Sequence, residues 1–303
     1  SNSFLEFVAP RRVEVRSETL AAAAVGPRQV AIAAYCSSVS TGTELKVFRG
    51  EFGDGSAALD TTIPDMAGQT MTYPMRYGYS LVGRVVHCGA EVERPEGLLG
   101  RLVFAFSPHA SVVVVDYDSV MLVPEGIAAE DAIYVPAVET ALSLVQDACP
   151  RVGERVAVFG QGMIGLLVTA ILSRGHGNVG VGSVTAVDIL PARRAAALRR
   201  AGATRACDPT ALAAEGDDNA FDVCVEVSGS PRGLQSAVDR AGYGGRVVLG
   251  SWYGAAPATL RLGLDFHRSH VTLQASQVSR VAAALSDRWD KARRFRAAWT
   301  LVR

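Results

Sequence analysis

The chain has no uninterrupted apolar stretch approaching the ~20 residues that a membrane-crossing helix needs. Its five cysteines (Cys36, Cys88, Cys149, Cys207, Cys224) include no C-x-x-C pair. The first absence predicts a soluble protein. The second argues against a zinc ribbon or a disulfide framework and fits reduced thiols in a cytoplasm, most of them buried as small apolar groups. Net charge is lacking too, since thirty basic residues balance thirty acidic ones. Without long-range attraction for phosphate backbones or anionic lipid, nucleic-acid and membrane-surface roles are disfavoured and a small-molecule partner is expected. No secretory leader is expected, and no internal repeat or low-complexity tract is evident.

What is present is size and apolar content: 303 residues, 49% of them hydrophobic, enough to bury two packed domains. From Phe4 to about Val123 the pattern is short and β-like, with runs such as Gln29 to Ala34, Val82 to Val86 and Ser111 to Val115 separated by Gly, Pro and Asp turns. Ser1-Asn2-Ser3 carries no argument. Between Phe48 and Tyr77 lies a stretch rich in Gly, Asp, Thr and Pro (Gly53-Asp54-Gly55, Ile63-Pro64-Asp65), too long for a simple connection and expected to form a flap shaping a substrate pocket.

After Pro136 strands and helices alternate. Arg155 to Phe159 and Val184 to Val187 read as continuous apolar strands, and Ile164 to Leu172 as a helix apolar on nearly all sides. They are followed by helix Pro191 to Ala201 closed by Gly202, strand Phe221 to Val227, helix Arg232 to Arg240 and strand Arg246 to Leu249. Continuous hydrophobicity marks strands covered on both faces, so the fold class is α/β: a β domain followed by a doubly wound parallel sheet of Rossmann type. The expected division is 1–137, 138–277 and a segment 278–303 returning to the first domain. That tail is predicted helical from Ser279, with Phe295, Ala298, Trp299 and Val302 on a packed stripe and Arg293, Arg294 and Arg296 on a solvated face. The strand near Val271 to Leu273 is expected at the sheet edge, where it would pair subunits into a homodimer.

The chemistry-bearing motif is Gly160-Gln161-Gly162-Met163-Ile164-Gly165. A lone G-x-G-x-x-G is weak, but here the first glycine ends a predicted strand, the third lies in the following helix, and Asp188 closes the next strand. Gly160 permits the turn, Gly162 lets a pyrophosphate approach the backbone, and Gly165 lets helix and strand pack closely, with the helix start facing the phosphates. Asp188 comes slightly later than the usual ~20 residues, an excess assigned to a longer turn over Gly175 to Gly182. Its carboxylate would accept the ribose hydroxyls and repel a 2′-phosphate, so the expected cofactor is NAD, with Arg193, or the nearly equivalent Arg194, at the ribose or adenine edge.

With this loop behind a β domain, the chain resembles the medium-chain dehydrogenase/reductase family. Ser40-Thr41-Gly42-Thr43-Glu44-Leu45 is similar to that family's C-G-T-D segment. Tyr77-Gly78-Tyr79-Ser80 with Val82-Gly83-Arg84-Val85-Val86 is similar to its G-H-E-x-x-G-x-V segment, and Glu139-Thr140-Ala141 to the approach to its Rossmann half. The resemblance implies a GroES-like domain before the Rossmann domain, and places Ser228-Gly229 and Gly250-Ser251 on the nicotinamide side of the cofactor. It also implies departures. Thr41, Tyr79 and Pro136 stand where zinc-dependent members carry Cys, His and a third thiolate, Ser80 replaces the neighbouring acid, and no cysteine lies between Gly89 and Pro124 for a structural zinc lobe. A hydroxyl, a phenol and a proline ring do not make a tetrahedral zinc site, so no metal is expected. Among zinc-free branches the wording is most similar to the bacteriochlorophyllide hydroxyethyl dehydrogenase group, without implying a chlorin substrate. The family usually continues for several elements beyond the position of Arg303.

Without a Lewis acid, interconversion of alcohol and ketone needs hydrogen-bond donors or a general acid/base. The resemblance puts Thr43 at the proton-relay hydroxyl and Tyr79 at the vacated ligand position; a turn-stabilising threonine and an aromatic filler are the alternatives. His109, on a loop before Ser111, is the third catalytic candidate, with an ordinary exposed loop histidine as the alternative. Lys46 stands where some relatives have a relay histidine, Glu139 orients a neighbour or the nicotinamide ribose or else complements a helix start, and His267 and His270 read as connecting residues despite their metal-like spacing. The expected function is a zinc-independent, NAD-dependent oxidoreductase acting on a secondary alcohol or ketone. An enone reductase and a non-catalytic NAD(H)-binding sensor or assembly protein remain open.

Overall fold

The structure is a computed structural model that describes residues 1–20, 24–53, 70–174, 180–216, 220–263 and 265–303. Most of the expected flap, and the first part of the turn from Gly175, lie outside the described residues. The chain forms two compact units, residues 1–136 with 302–303, and residues 137–301.

In the first unit β1 (Asn2–Ala9) and β2 (Arg12–Glu18) make an antiparallel ribbon. β3 (Gln29–Ser37), helix α1 (Thr43–Arg49), β4 (Leu81–Cys88), β5 (Leu102–Ala105), β6 (Val112–Asp116) and β7 (Met121–Leu122) follow. The last five strands form an antiparallel sheet in the order β6-β3-β4-β5-β7. Alternation sends Val30, Ile32, Leu81, Val85, Val103 and Val113 into one core, as a pleated strand half-buried on one face requires. Asn2, which the sequence left without a role, is buried: its side chain accepts the Val112 N–H at 2.8 Å and the Ser111 hydroxyl at 3.0 Å. A second cluster gathers Phe7, Val47, Met71, Met75 and Tyr77, with Tyr79 packed against it. A short helix α2 (Ala129–Ala132) completes the unit.

The second unit begins within α3 (Val135–Ala148) and alternates thereafter: β8 (Arg155–Phe159), α4 (Met163–Arg174), β9 (Ser183–Val187), α5 (Pro191–Ala196, continuing as a π turn to Ala201), β10 (Arg205–Cys207), α6 (Pro209–Ala213), β11 (Phe221–Glu226), α7 (Pro231–Arg240), β12 (Ala241–Leu249), α8 (Asp265–Arg268) and β13 (Thr272–Ala275). All pairings are parallel, in the order β10-β9-β8-β11-β12-β13. This is the doubly wound order, with β13 at the edge as expected and the direction of winding reversing between β8 and β11. Val156, Val158, Val184, Val223, Val225 and Val248 are buried on the side covered by α3 and α4, and Ala157, Phe159, Cys224 and Val247 on the side covered by α7. Burial on both faces accounts for the unbroken apolar runs.

The tail corrects three expectations. It is not helical from Ser279; apart from a single turn at Ala283–Leu285, the helix is α9 (Lys291–Val302). Phe295, Ala298 and Trp299 are buried as the stripe requires, but so is Arg294, at 1% exposure. Its guanidinium reaches Glu139 at 3.0 Å, Ser143 at 3.1 Å, the Arg280 carbonyl at 3.0 Å and the Val278 carbonyl. Through residue 301 the segment is therefore part of the second unit rather than a return to the first, and an anion on α3 is what draws a helix-face arginine inward.

Candidate active site

The glycine loop forms the turn from β8 into α4. Phe159 lies opposite Val187 on one side and Glu226 on the other, so Gly160, Asp188 and Ser228 open at one end of the sheet, at its switch point. Gly160 has φ +94°, and a Cβ there would stand 2.5 Å from the Ser228 Cα. A Cβ on Gly165 would stand 1.8 Å from the Gly160 carbonyl oxygen. At Gly162 a Cβ would meet nothing within 4 Å: the middle glycine faces open space, which is the cradle a pyrophosphate requires. The loop residues fit a dinucleotide on this ground.

Gln161 is fully buried. Its amide donates to the Val158 carbonyl at 3.0 Å and accepts from Thr169 at 3.2 Å, pinning the loop to β8 and α4. Met163 opens the helix, and Ile164 packs partly buried against the core. Asp188, 5% exposed, accepts the Gln161 N–H at 2.7 Å and the Leu190 N–H at 2.8 Å. Each carboxylate oxygen retains a second lone pair for a ribose hydroxyl. The two arginines are not equivalent. Arg193 is half-exposed with its guanidinium 3.7 Å from Asp188, whereas Arg194 is held by the Asp188 and Ile189 carbonyls and by Asp208.

The Ser228-Gly229 and Gly250-Ser251 turns come together. Gly229 N–H donates to the Ser251 hydroxyl at 2.8 Å. Behind them lies a group the sequence reading missed: Glu226, fully buried, accepts from the Ser228 N–H at 2.7 Å, the Ser228 hydroxyl at 2.5 Å and the Tyr253 hydroxyl at 2.8 Å. Burial, followed by the negative charge of Glu226, pushes the Tyr253 phenol far above its ordinary value, so this hydroxyl stays a donor. Glu226 ends an apolar strand, and an acid in that place was the available signal. Glu139 is likewise engaged, 2.8 Å from Lys291 and 3.0 Å from Arg294, and so anchors α9.

In the first unit the three catalytic candidates fall around α1. Tyr79 is largely buried, which pushes its phenol up; side-chain hydrogen bonds with Ser40 and Thr43 pull it down, and the nearby Glu44 carboxylate raises it again. His109 is 4% exposed, so the alternative of an exposed loop histidine is excluded. Its Nε2 lies 2.8 Å from Glu44 and its Nδ1 2.8 Å from the Ser37 hydroxyl. Glu44, 3% exposed, had been quoted only as part of a motif, and it is the centre of this cluster. Lys46 pairs with Glu51 at 3.5 Å. Ser80 is buried and donates to the Ile133 carbonyl at 2.6 Å. His267 lies in α8 and His270 stacks edge-on against Tyr243; among the described residues no three His, Cys, Asp or Glu side chains are grouped to hold a metal ion. No described helix is long and apolar enough to cross a membrane.

Comparison with known proteins agrees with this architecture. Residues 164–297 match the family described as zinc-binding dehydrogenase. The chain is 27% identical over 235 residues to D-guloside 3-dehydrogenase of Escherichia coli (strain K12), covering 74% of this chain and 65% of that protein. Among solved structures, an alcohol dehydrogenase of E. coli CFT073 complexed with NADH superposes with TM-score 0.74 at 16% identity, covering 99% of this chain and 87% of that one. A structure from Sinorhizobium meliloti 1021 bound to NADP superposes with TM-score 0.76 at 17% identity, covering 99% and 89%. The family model matches less than half of the chain, within the second unit, and the solved structures share the fold, a GroES-like and a Rossmann unit. The chain spans about 65% of the length of the curated relative.

Proposed function

We propose that the chain is a zinc-independent oxidoreductase that moves a hydride between NAD(H) and a secondary alcohol or ketone. The observation that carries the cofactor assignment is the open face of Gly162 between two glycines that are closed to any side chain. When bound, the cofactor would supply the hydride acceptor for alcohol oxidation as NAD and the hydride donor for ketone reduction as NADH. The Gly160 to Gly165 turn holds its phosphates, Asp188 its adenine ribose, and the paired turns at Ser228-Gly229 and Gly250-Ser251 its nicotinamide side. NAD is favoured over NADP because the Asp188 carboxylate repels a 2′-phosphate, while Arg193 stands beside that carboxylate and is partly neutralised by it.

Zinc independence rests on donor chemistry. The family resemblance sets Thr41, Tyr79 and Pro136 at the ligand positions, and these do not fit a tetrahedral zinc; no step runs through a metal. In the reductive direction the carbonyl oxygen takes the Tyr79 proton as its carbon takes the hydride, and water reprotonates the phenolate. The Ser40 and Thr43 hydroxyls stabilise that phenolate by hydrogen bonds. D-Guloside 3-dehydrogenase is named for oxidation at a ring carbon, which supports a secondary alcohol as substrate class. A homodimer paired through the edge of β13 belongs to the same reading, and a monomeric mass by light scattering would exclude it.

The test is a fluorescence titration with NADH and NADPH followed by a turnover screen on ketones and activated alkenes. Tighter NADH binding with ketone reduction supports the proposal; alkene reduction, or binding without turnover, replaces it with an enone reductase or a sensor.

A further inference from the structure

We propose that Glu44 is the positioning residue of the proton-donating site, fixing Tyr79 at both ends through its two carboxylate oxygens. This deepens the oxidoreductase reading and rests on it for the role of Tyr79.

At the phenol end, Glu44 Oε1 accepts the Ser40 N–H at 2.9 Å, and the Ser40 hydroxyl in turn accepts the Thr43 N–H at 3.3 Å. These are the two residues whose side chains hydrogen-bond the Tyr79 hydroxyl. At the backbone end, Glu44 Oε2 takes His109 Nε2 at 2.8 Å. The Cδ2–Nε2 edge of the imidazole then lies against the residue preceding Tyr79. A Cβ on Gly78 would stand 2.9 Å from both Cδ2 and Nε2 of His109, and Gly78 has φ +136°, a conformation that side-chain-bearing residues rarely adopt. Thus the Gly78-Tyr79 backbone is shaped around a ring whose orientation Glu44 sets.

The first of these bonds alone would be an ordinary contact at a helix start. The second has no part in capping α1. A carboxylate at 3% exposure is costly to bury unless its oxygens are met by donors, and here one oxygen is spent on a ring 65 residues away in sequence. His109 itself has both ring nitrogens engaged, Nε2 by Glu44 and Nδ1 by Ser37. It is therefore a positioning residue too, with its Nε2 set to donate to a Glu44 oxygen. This leaves Tyr79 as the donor that meets substrate.

The experiment combines E44Q, Y79F and the double variant, each checked for NADH affinity and thermal unfolding, with ketone reduction measured across pH. With Glu44→Gln the neutral amide cannot accept both donors, so one anchor is lost. Expected are unchanged NADH affinity, a kcat lowered about tenfold to a hundredfold, little change in KM, and an altered pH profile. On the Y79F background E44Q is expected to add no further loss, since both act through one phenol. Additive losses overturn the proposal. Should E44Q not fold, 15N resonances of His109 in the wild-type protein decide: a hydrogen on Nε2 supports the assignment and a bare Nε2 overturns it. If the wild type binds NADH but reduces no ketone, the hydride-transfer reading fails. The positioning claim then stands or falls on the Tyr79 ring resonances, which E44Q must shift.

Discussion

The carboxylate of Asp188 accepts the main-chain N–H of Gln161 at 2.7 Å, so the acid expected to select the cofactor also holds the glycine loop that binds it. Removing it therefore has two effects. Asp188→Gly is predicted to raise the NADPH-to-NADH affinity ratio by removing the repulsion of a 2′-phosphate, and to weaken NADH outright by loosening Gln161. Titration of both cofactors measures the two effects separately. An unchanged ratio would show that Asp188 serves the loop alone.

Two glycines of one motif should fail in different ways. Gly165→Ala places a methyl 1.8 Å from the Gly160 carbonyl oxygen and should destabilise the fold by roughly 1–3 kcal/mol or more, as overpacking does. Gly162→Ala meets nothing within 4 Å. It should leave the melting temperature unchanged while weakening NADH by about tenfold, or 1.4 kcal/mol. Calorimetric unfolding beside NADH titration tells the two apart.

Arg294 and Glu139 form a buried ion pair that joins α9 to α3. Arg294→Met leaves the Glu139 carboxylate with the half-exposed Lys291 as its remaining cation and strips the Val278 and Arg280 carbonyls of a donor. The expected cost is roughly 3–5 kcal/mol. Lys291→Ala, at the exposed end of the same network, should cost about 1 kcal/mol or less. Urea unfolding of both variants checks the ranking.

The Arg246 hydrogen bond, against a smaller opposing effect of burial, holds the Glu154 carboxyl below the usual glutamate range. Its folded value lies below its unfolded one, so the unfolded state binds the proton more readily. The stabilisation is complete above the ordinary glutamate value and is lost as pH falls through the folded value. Urea midpoints between about pH 6 and pH 3 should decline more gently in Arg246→Ala than in the wild type, from a lower starting stability.

The Rossmann unit was legible because its strands are covered on both faces and each helix start or stop carries local punctuation, such as Gly202 with φ +78° closing the helix that begins at Pro191. Short elements escaped. β10 has only three residues, and Gly242 to Gly245 hid the first half of β12. The site was half legible. Thr43, Tyr79 and His109 were singled out one by one, and only the structure gathers them around α1. Glu44, Glu226 and Arg294 stayed hidden because a charged residue is read as surface until its partner, distant in sequence, is known to lie opposite it.

The most direct test is deuterium transfer from 4-deuterated NADH to a ketone, using chelator-dialysed protein whose zinc content is measured on the same sample. Deuterium on the carbinol carbon at substoichiometric zinc is the predicted result. Transfer that disappears on dialysis and returns with one equivalent of zinc would contradict the account.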